Sequence, residues 1–341
     1  MTERSRVAVL VEPGRIELRE EPARDPGPGA LAVRVRAALT DGTDLKTYRR
    51  GHPQMPTPTR FGHEFSGDVV AVGDGVTKFA PGDAVMCVHT APCGACFWCA
   101  QHQEELCERL MPTMLLGAYA DLIEVPRAIV EQNCFPKPEH LSYREAAFLE
   151  PLSCVVHSIE SLPPHDVVAV IGDGAFGILH ALVLRERGAR PILVGRREER
   201  LEVVRRFGFE PIDARAGDAS LAVRERAAGR GADAVVECTG TQGAWELAPA
   251  LVRRGGTVSL FGGLPTGTTV TFSAERLHYD EVRVMSPFHF TPRAVRTAYE
   301  LLRERRLDVL PLVTHAYPLD EIAAAFASLD AGAGLKACIE P

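Results

Sequence analysis

No uninterrupted apolar run among the 341 residues approaches the roughly 18 that a membrane-spanning helix needs, so no spanning segment is expected. A long basic cluster is missing too. The formal charge is -7, and Arg-rich pieces such as residues 301–306 have acids mixed in, which is the pattern of a solvated helix face and argues against nucleic acid as a partner. An export signal is equally absent: residues 1–6 carry both signs of charge, and only the short apolar stretch 7–11 precedes Glu12-Pro13-Gly14. A soluble, cytoplasmic protein is expected. With no internal repeat and no low-complexity segment, solenoid architectures are set aside.

What is present fits an ordinary globular chain. Hydrophobic residues make up 46% and charged residues 24%, and the length exceeds what one core usually organises, so two domains are expected. Nine cysteines without an export signal would be reduced, and four of them are crowded between Cys93 and Cys107. That crowding points to metal rather than to disulfides.

The first third reads as short β segments (7–10, 31–37, 67–72, 84–88) separated by Pro/Gly turns, an all-β style of sequence. After about residue 155 the texture changes. A strand at 167–171 leads through a glycine-rich turn into a helix over about 175–187, closed by Gly188. Strands near 192–194, 211–212, 234–237 and 258–261 continue the alternation, which implies a parallel sheet of the α/β class. A helical pattern from Pro292, another at 319–328 and a strand at 336–339 suggest a tail that returns to the first domain. The boundaries expected are 1–155 with 290–341 for one domain and 156–289 for the other.

Gly172-Asp173-Gly174-Ala175-Phe176-Gly177 lies directly after a strand and opens a helix, the context that makes a glycine pattern a dinucleotide site. The first glycine turns the chain, the second lets a pyrophosphate approach the backbone, and the third lets helix and strand pack closely. An acidic residue usually follows at the end of the second strand to meet the ribose 2′-hydroxyl. Here Gly195 stands there, followed by Arg196 and Arg197, with Arg200 a helical turn on. Cations in place of a carboxylate predict NADP over NAD; the plainer reading is three solvated arginines at a helix start. Cys93, Cys96, Cys99 and Cys107 can close a tetrahedron of thiolates around zinc with no open position, hence a structural site. An iron–sulfur cluster is the rival, although the last spacing departs from the common ferredoxin run. The remaining five cysteines read as small buried residues.

Three further pieces, DGTDLKTY from Asp41, GHEFSG from Gly62 and LEPLSCVVH from Leu149, are weak singly. Together with CGACFWCAQHQEELC, GDGAFG and VVECTG, in their order along the chain, they resemble the zinc-containing medium-chain dehydrogenases, especially the branch of sorbitol, threonine and glucose dehydrogenases. The resemblance implies a GroES-like β-rich catalytic domain, an inserted Rossmann domain with a doubly wound parallel sheet, and an active site in the cleft between them. It further implies a catalytic zinc on His63 with Glu64 or Glu150, Thr43 passing the substrate proton outward, Asp44 orienting a ligand, and Thr239 beside the cofactor. Lys46, Tyr48, Tyr119 and His289 stand where the family lines its cleft, though a hydrogen-bonded structural role fits Lys46 and His289 equally and fits the two tyrosines better.

One departure bears on function: the first ligand position, usually Cys, is Asp41. Some glucose dehydrogenases resemble this sequence in that respect, and Asp, His and Glu carry the same formal charge as Cys, His and Glu. The resemblance implies two zincs per chain, one catalytic and one structural, and a homodimer or homotetramer. The activity implied is interconversion, by hydride transfer, of a ketone and a secondary alcohol of a polyol, cyclitol or sugar-like substrate. A threonine-type amino-alcohol dehydrogenase and a non-catalytic NADPH-binding member are the alternatives.

Overall fold

The computed structural model describes residues 4–341. Met1, Thr2 and Glu3, the start of the segment read above as lacking an export signal, lie outside the described residues. The chain divides into two compact units. The first runs to Ser153 and takes up Thr291–Pro341 again; the second is Cys154–Phe290. Among the described residues no helix is long and apolar enough to cross a membrane.

The first unit is built on a seven-stranded sheet whose centre is Leu31–Leu39. That strand is almost wholly buried, as its run of Leu, Ala and Val residues dictates. It pairs antiparallel with Glu64–Val72 on one side and with the C-terminal strand Lys336–Glu340 on the other, while Leu122–Val125 also joins it. Register then decides which polar groups meet. Leu39 lies opposite both Glu64 and Cys338, so the ends of two strands far apart in sequence converge beside residue 40. Thr40 seals the junction: its amide donates to Ala337 O at 2.9 Å, and its hydroxyl accepts the Ala337 amide at 2.9 Å. Phe61, Phe65, Tyr119 and Phe326 are fully buried in the core of this unit. A separate three-stranded sheet is formed by Arg15–Pro22, Arg4–Glu12 and Thr59–Arg60.

The second unit carries a six-stranded sheet in the spatial order Ile212–Asp213, Arg190–Gly195, Val167–Ile171, Ala232–Glu237, Val252–Leu260, Arg283–Met285. All its pairings are parallel. Relative to chain order this is 3-2-1-4-5-6, the arrangement of the dinucleotide-binding doubly wound fold. The expected α/β class, β-rich in one unit and parallel-sheeted in the other, is therefore the observed one.

Several helices interrupt the all-β reading of the first unit, and two of them position the site. Gly42–Arg50 has few apolar positions and so no visible periodicity. It is started by a capping box in which Asp41 accepts the Asp44 amide and Asp44 accepts the Asp41 amide. Leu149–Glu160 begins just before Pro151, a residue tolerated in a first helical turn. These two helix starts deliver Asp41 and Glu150.

Candidate active site and metal centres

His63 sits at the entry to strand Glu64–Val72, and the glycine before it is obligatory. Gly62 has φ +89°, and a Cβ there would lie 2.7 Å from the Tyr119 ring. The His63 side chain is only 8% exposed, with Nδ1 3.3 Å from Asp44 Oδ1 and Nε2 3.8 Å from Asp41 Oδ2. Asp44 is held from behind: the buried Tyr119 hydroxyl donates to its Oδ2 at 2.6 Å. The two oxygens of Asp41 have separate tasks, because Oδ1 accepts the Asp44 amide at 2.6 Å while Oδ2 faces the imidazole.

A second set of groups closes the pocket. Donor atoms of His63, Glu64 and Glu150 lie within 4.8 Å of one another, as do those of Asp41, Asp44 and His63. Glu64, fully buried, directs both oxygens at Lys336 Nζ, at 2.8 and 2.6 Å, and that ammonium also donates to Thr40 O at 2.7 Å. Glu150 Oε1 lies 3.3 Å from His89 Nδ1, and the His89 ring packs edge-on against His63 with centroids 4.8 Å apart.

The electrostatics follow from this crowding. Burial would push the His63 imidazole down, but Asp44 and Asp41 outweigh it and hold the group well above its ordinary range. Burial raises Asp44. It also raises Glu64, well above the usual carboxylate range despite Lys336. Asp41 ends lowered, because His63 and Lys336 overcome its burial. Asp41, Asp44, Glu64 and Glu150 are thus gathered around one buried imidazole, and four carboxylates in so small a volume suit a divalent cation. With Nδ1 engaged by Asp44, His63 presents Nε2 on the side of Asp41 Oδ2. These donors fit a metal.

The four cysteines singled out by their spacing come together, with Sγ atoms within 4.8 Å of one another. Cys96 precedes the short helix Phe97–Ala100, and the amides of Cys99 and Glu108 draw its thiol down to about 6. The amides of Ala95 and Cys96 lower Cys93, whereas burial pushes Cys99 up to about 12. Backbone amides aimed at sulfur stabilise thiolate, the form that binds zinc. Of the other cysteines, Cys87, Cys134 and Cys338 are buried as expected, but Cys154 and Cys238 are only half-buried.

In the second unit the glycine turn is built for backbone approach. Gly172 has φ +134°, and a Cβ at Gly177 would lie 2.0 Å from Gly172 O, so only glycine lets the strand and the helix Ala175–Glu186 meet. Ala175 opens that helix, and Phe176 packs on Phe261 with centroids 5.1 Å apart. Thr239 flanks the turn, 3.4 Å from where a Gly172 side chain would begin, and its hydroxyl bonds the buried Glu237. Gly195 is buried, Arg196 and Arg197 are exposed and Arg200 is half-buried.

The cleft candidates divide. Thr43 is exposed on the first turn of its helix, and Lys46 and Tyr48 are half-buried on the same helix, Tyr48 against Phe326. His289 belongs to the second unit, has φ +60° and stacks on Phe290. Tyr119 takes the hydrogen-bonded structural place: it is fully buried behind Asp44, its hydroxyl also 3.1 Å from Leu39 O. Lys336 and His89 went unnoticed in the sequence. The one signal for Lys336 was a lone lysine in the apolar run 335–339; His89 offered none.

Comparison with known proteins bears on this geometry. The alcohol dehydrogenase GroES-like domain family matches residues 27–139, and the zinc-binding dehydrogenase family matches residues 175–304. A sorbitol dehydrogenase of Halalkalibacterium halodurans is 31% identical over 96% of each chain. A D-arabitol-phosphate dehydrogenase of Enterococcus avium is 30% identical over 90% of this chain and 89% of its own. Among solved structures, one described as a zinc-binding dehydrogenase from Sinorhizobium meliloti 1021, bound to NADP, superposes with a TM-score of 0.90 at 28% identity, covering 99% of this chain and 100% of that one. Matched in both units and along nearly its whole length, the chain belongs to the zinc-binding dehydrogenases of the medium-chain alcohol dehydrogenase superfamily and is an NAD(P)-dependent alcohol dehydrogenase.

Proposed function

We propose that this enzyme oxidises a secondary hydroxyl of a polyol, cyclitol or sugar-like substrate to the ketone, or the reverse, with NADP preferred to NAD and with one catalytic and one structural zinc per chain. The observation that carries the reading is the convergence on buried His63 of two donor groups, Asp41 with Asp44 and Glu64 with Glu150, an oxygen–nitrogen environment that suits zinc. The polyol class is supported by the sorbitol and arabitol-phosphate dehydrogenases among the relatives. NADP is supported by Gly195, Arg196, Arg197 and Arg200 and by the dinucleotide in the Sinorhizobium structure. The assembly is read as a cytoplasmic homodimer or homotetramer.

When bound, the zinc supplies a Lewis acid that lowers the pKa of the substrate hydroxyl, and the nicotinamide accepts the hydride. The chain's own residues do the rest. Asp44 and Tyr119 fix the ring of His63, Asp41 spends one oxygen on its helix cap and turns the other inward, and Thr43, exposed on the first turn, carries the proton outward. Glu64 or Glu150 would supply the carboxylate ligand to the zinc. Of the two, Glu64 is tied through both oxygens to Lys336, and the two carboxylates would exchange at the metal during turnover. Lys46 and Tyr48 are the candidates in the first unit to meet substrate hydroxyls, and His289 is the candidate in the second. Because a carboxylate is a harder donor than a thiolate, zinc is held less tightly than in Cys-containing relatives, and cobalt or manganese substitutes for it.

The test is metal content per chain on the wild type and on Asp41→Ala, with turnover on sorbitol, glucose, inositols and threonine. Two zincs falling to one, with wild-type activity on polyols or sugars, is the expected result. Activity confined to threonine overturns the substrate class. One zinc in both proteins, with no turnover on adding divalent metal, overturns the catalytic reading.

A further inference from the structure

His89 is a buried imidazole in a stretch that otherwise packs as core. It follows strand Ala84–Cys87, and its neighbours Cys87, Val88, Thr90 and Ala91 are all buried. Its backbone is held from both sides. The His89 carbonyl accepts the Leu115 amide at 2.8 Å, the Val88 amide donates to Asn133 O at 3.3 Å, and the Asn133 side chain donates to Thr90 O at 2.8 Å. A leucine or phenylalanine would fill the same volume without desolvating two ring nitrogens, so an imidazole on this backbone needs a polar partner.

What it meets is Glu150. His89 Nδ1 lies 3.3 Å from Glu150 Oε1, both side chains being buried. Glu150 stands in the first turn of helix Leu149–Glu160, where the helix dipole favours its charge. In the tautomer that carries its proton on Nδ1, His89 turns a donor toward that carboxylate. The same ring packs edge-on against His63, with centroids 4.8 Å apart. His89 therefore touches one candidate imidazole ligand and one candidate carboxylate ligand. The other candidate carboxylate, Glu64, is held through both oxygens by Lys336, so each of the two has a basic partner of its own. Among the described residues, the donors close enough to share an ion include His63, Glu64 and Glu150 but not His89.

We infer that His89 is a positioning residue for the metal at His63: its Nδ1 group, and not its ring packing, holds the Glu150 carboxylate in the orientation from which it serves the metal. A group one layer behind a ligand fixes which oxygen the ligand presents, and that orientation is worth a large factor in metal affinity. The inference rests on the catalytic-metal reading above, and it adds a residue that the reading leaves out.

The experiment is titration of the zinc-loaded enzyme with chelators of graded strength, the cysteine zinc serving as internal reference. The proteins are the wild type, His89→Phe, His89→Asn, Glu150→Gln, and His89→Phe combined with Glu150→Gln. Phenylalanine keeps a ring against His63 but has no donor; asparagine keeps a donor near the Nδ1 position but has no ring. His89→Phe is expected to weaken the zinc at His63 about tenfold or more while the cysteine zinc stays, and His89→Asn to remain within about threefold of the wild type. Beside Glu150→Gln, His89→Phe is expected to add less than about twofold, because the partner it acts through is already gone. A general loosening of the fold would move both zincs and would not be rescued by asparagine. The inference is overturned if His89→Phe holds zinc as the wild type does, if asparagine is as damaging as phenylalanine, or if the phenylalanine effect is undiminished beside Glu150→Gln. Should His89→Phe fail to fold, His89→Leu, which also lacks a donor, takes its place. A wild type that carries only the cysteine zinc ends the catalytic-metal reading and this inference with it; a second zinc that ignores His89→Phe ends the inference alone.

Discussion

The first unit carries two candidate metal centres that are built on opposite plans. The cysteine group is local: Cys93, Cys96, Cys99 and Cys107 come from one loop, share one chemistry and are held by amides of that same loop. The pocket around His63 is assembled from a helix cap, a strand entry, a second helix start and the C-terminal strand, and mixes carboxylates, imidazoles and an ammonium. A local group closes by itself and leaves no coordination position, which suits bracing. A dispersed group exists only once the sheet register is correct, and it can keep a position open for chemistry.

That contrast is sharpest in what each group does to stability. Cys96→Ser removes a sulfur from the closed group, and because metal binding there is coupled to ordering of the loop, destabilisation of several kcal/mol is expected, the largest of the predicted effects. Thermal unfolding should show a lowered midpoint and metal analysis the loss of one zinc, while the metal at His63 persists in the folded fraction. If Cys96→Ser abolished turnover with an unchanged midpoint, the division between bracing and chemistry would be wrong.

A comparable cost, without loss of a ligand, is predicted at Lys336. The Lys336–Glu64 pair is 1% and 0% exposed, so removing the ammonium strands a buried carboxylate. Lys336→Met should cost about 3–5 kcal/mol in denaturant unfolding. Adding Glu64→Gln should return much of it, since replacing both partners of a buried pair is often near neutral. No recovery in the double variant would mean that the lysine acts through packing, not through Glu64.

The same contrast explains how much could be read from the sequence. Spacing alone named the cysteine group, because four ligands on one loop need no knowledge of the fold. The parallel sheet was legible too, since strand 167–171, its glycine turn and the following helix carry their own punctuation, and the helix 175–186 was expected within a residue. Around His63 the motifs GHE and LEP said little by themselves; only likeness to a family grouped them. Lys336 offered only a lone charge in an apolar run and His89 nothing, because their partners Glu64 and Glu150 are set by register across the sheet and by a helix start. Helix Gly42–Arg50 was hidden for a related reason: a capping box, not apolar periodicity, starts it.

The smallest predicted effect belongs to a residue that reaches His63 only through Asp44. Tyr119 touches neither a donor oxygen of Asp41 nor Glu150 in the bonds described; it donates to Asp44 Oδ2, and Asp44 in turn faces His63 Nδ1. Asp44→Asn keeps the shape but weakens the hold on the imidazole, and residues one layer behind a metal ligand are worth roughly 10–100-fold in metal affinity or activity. Tyr119→Phe removes one hydroxyl from a buried carboxylate and should cost about 1–3 kcal/mol of stability. Its effect on zinc affinity, measured by chelator competition, should fall below that of Asp44→Asn. The cysteine zinc should be unmoved in both variants, because no bond of that loop passes through Asp44 among the described contacts. A Tyr119→Phe effect on zinc equal to that of Asp44→Asn would mean that the tyrosine acts on the imidazole as strongly as the carboxylate does, and that the pocket is tuned from its third layer of residues.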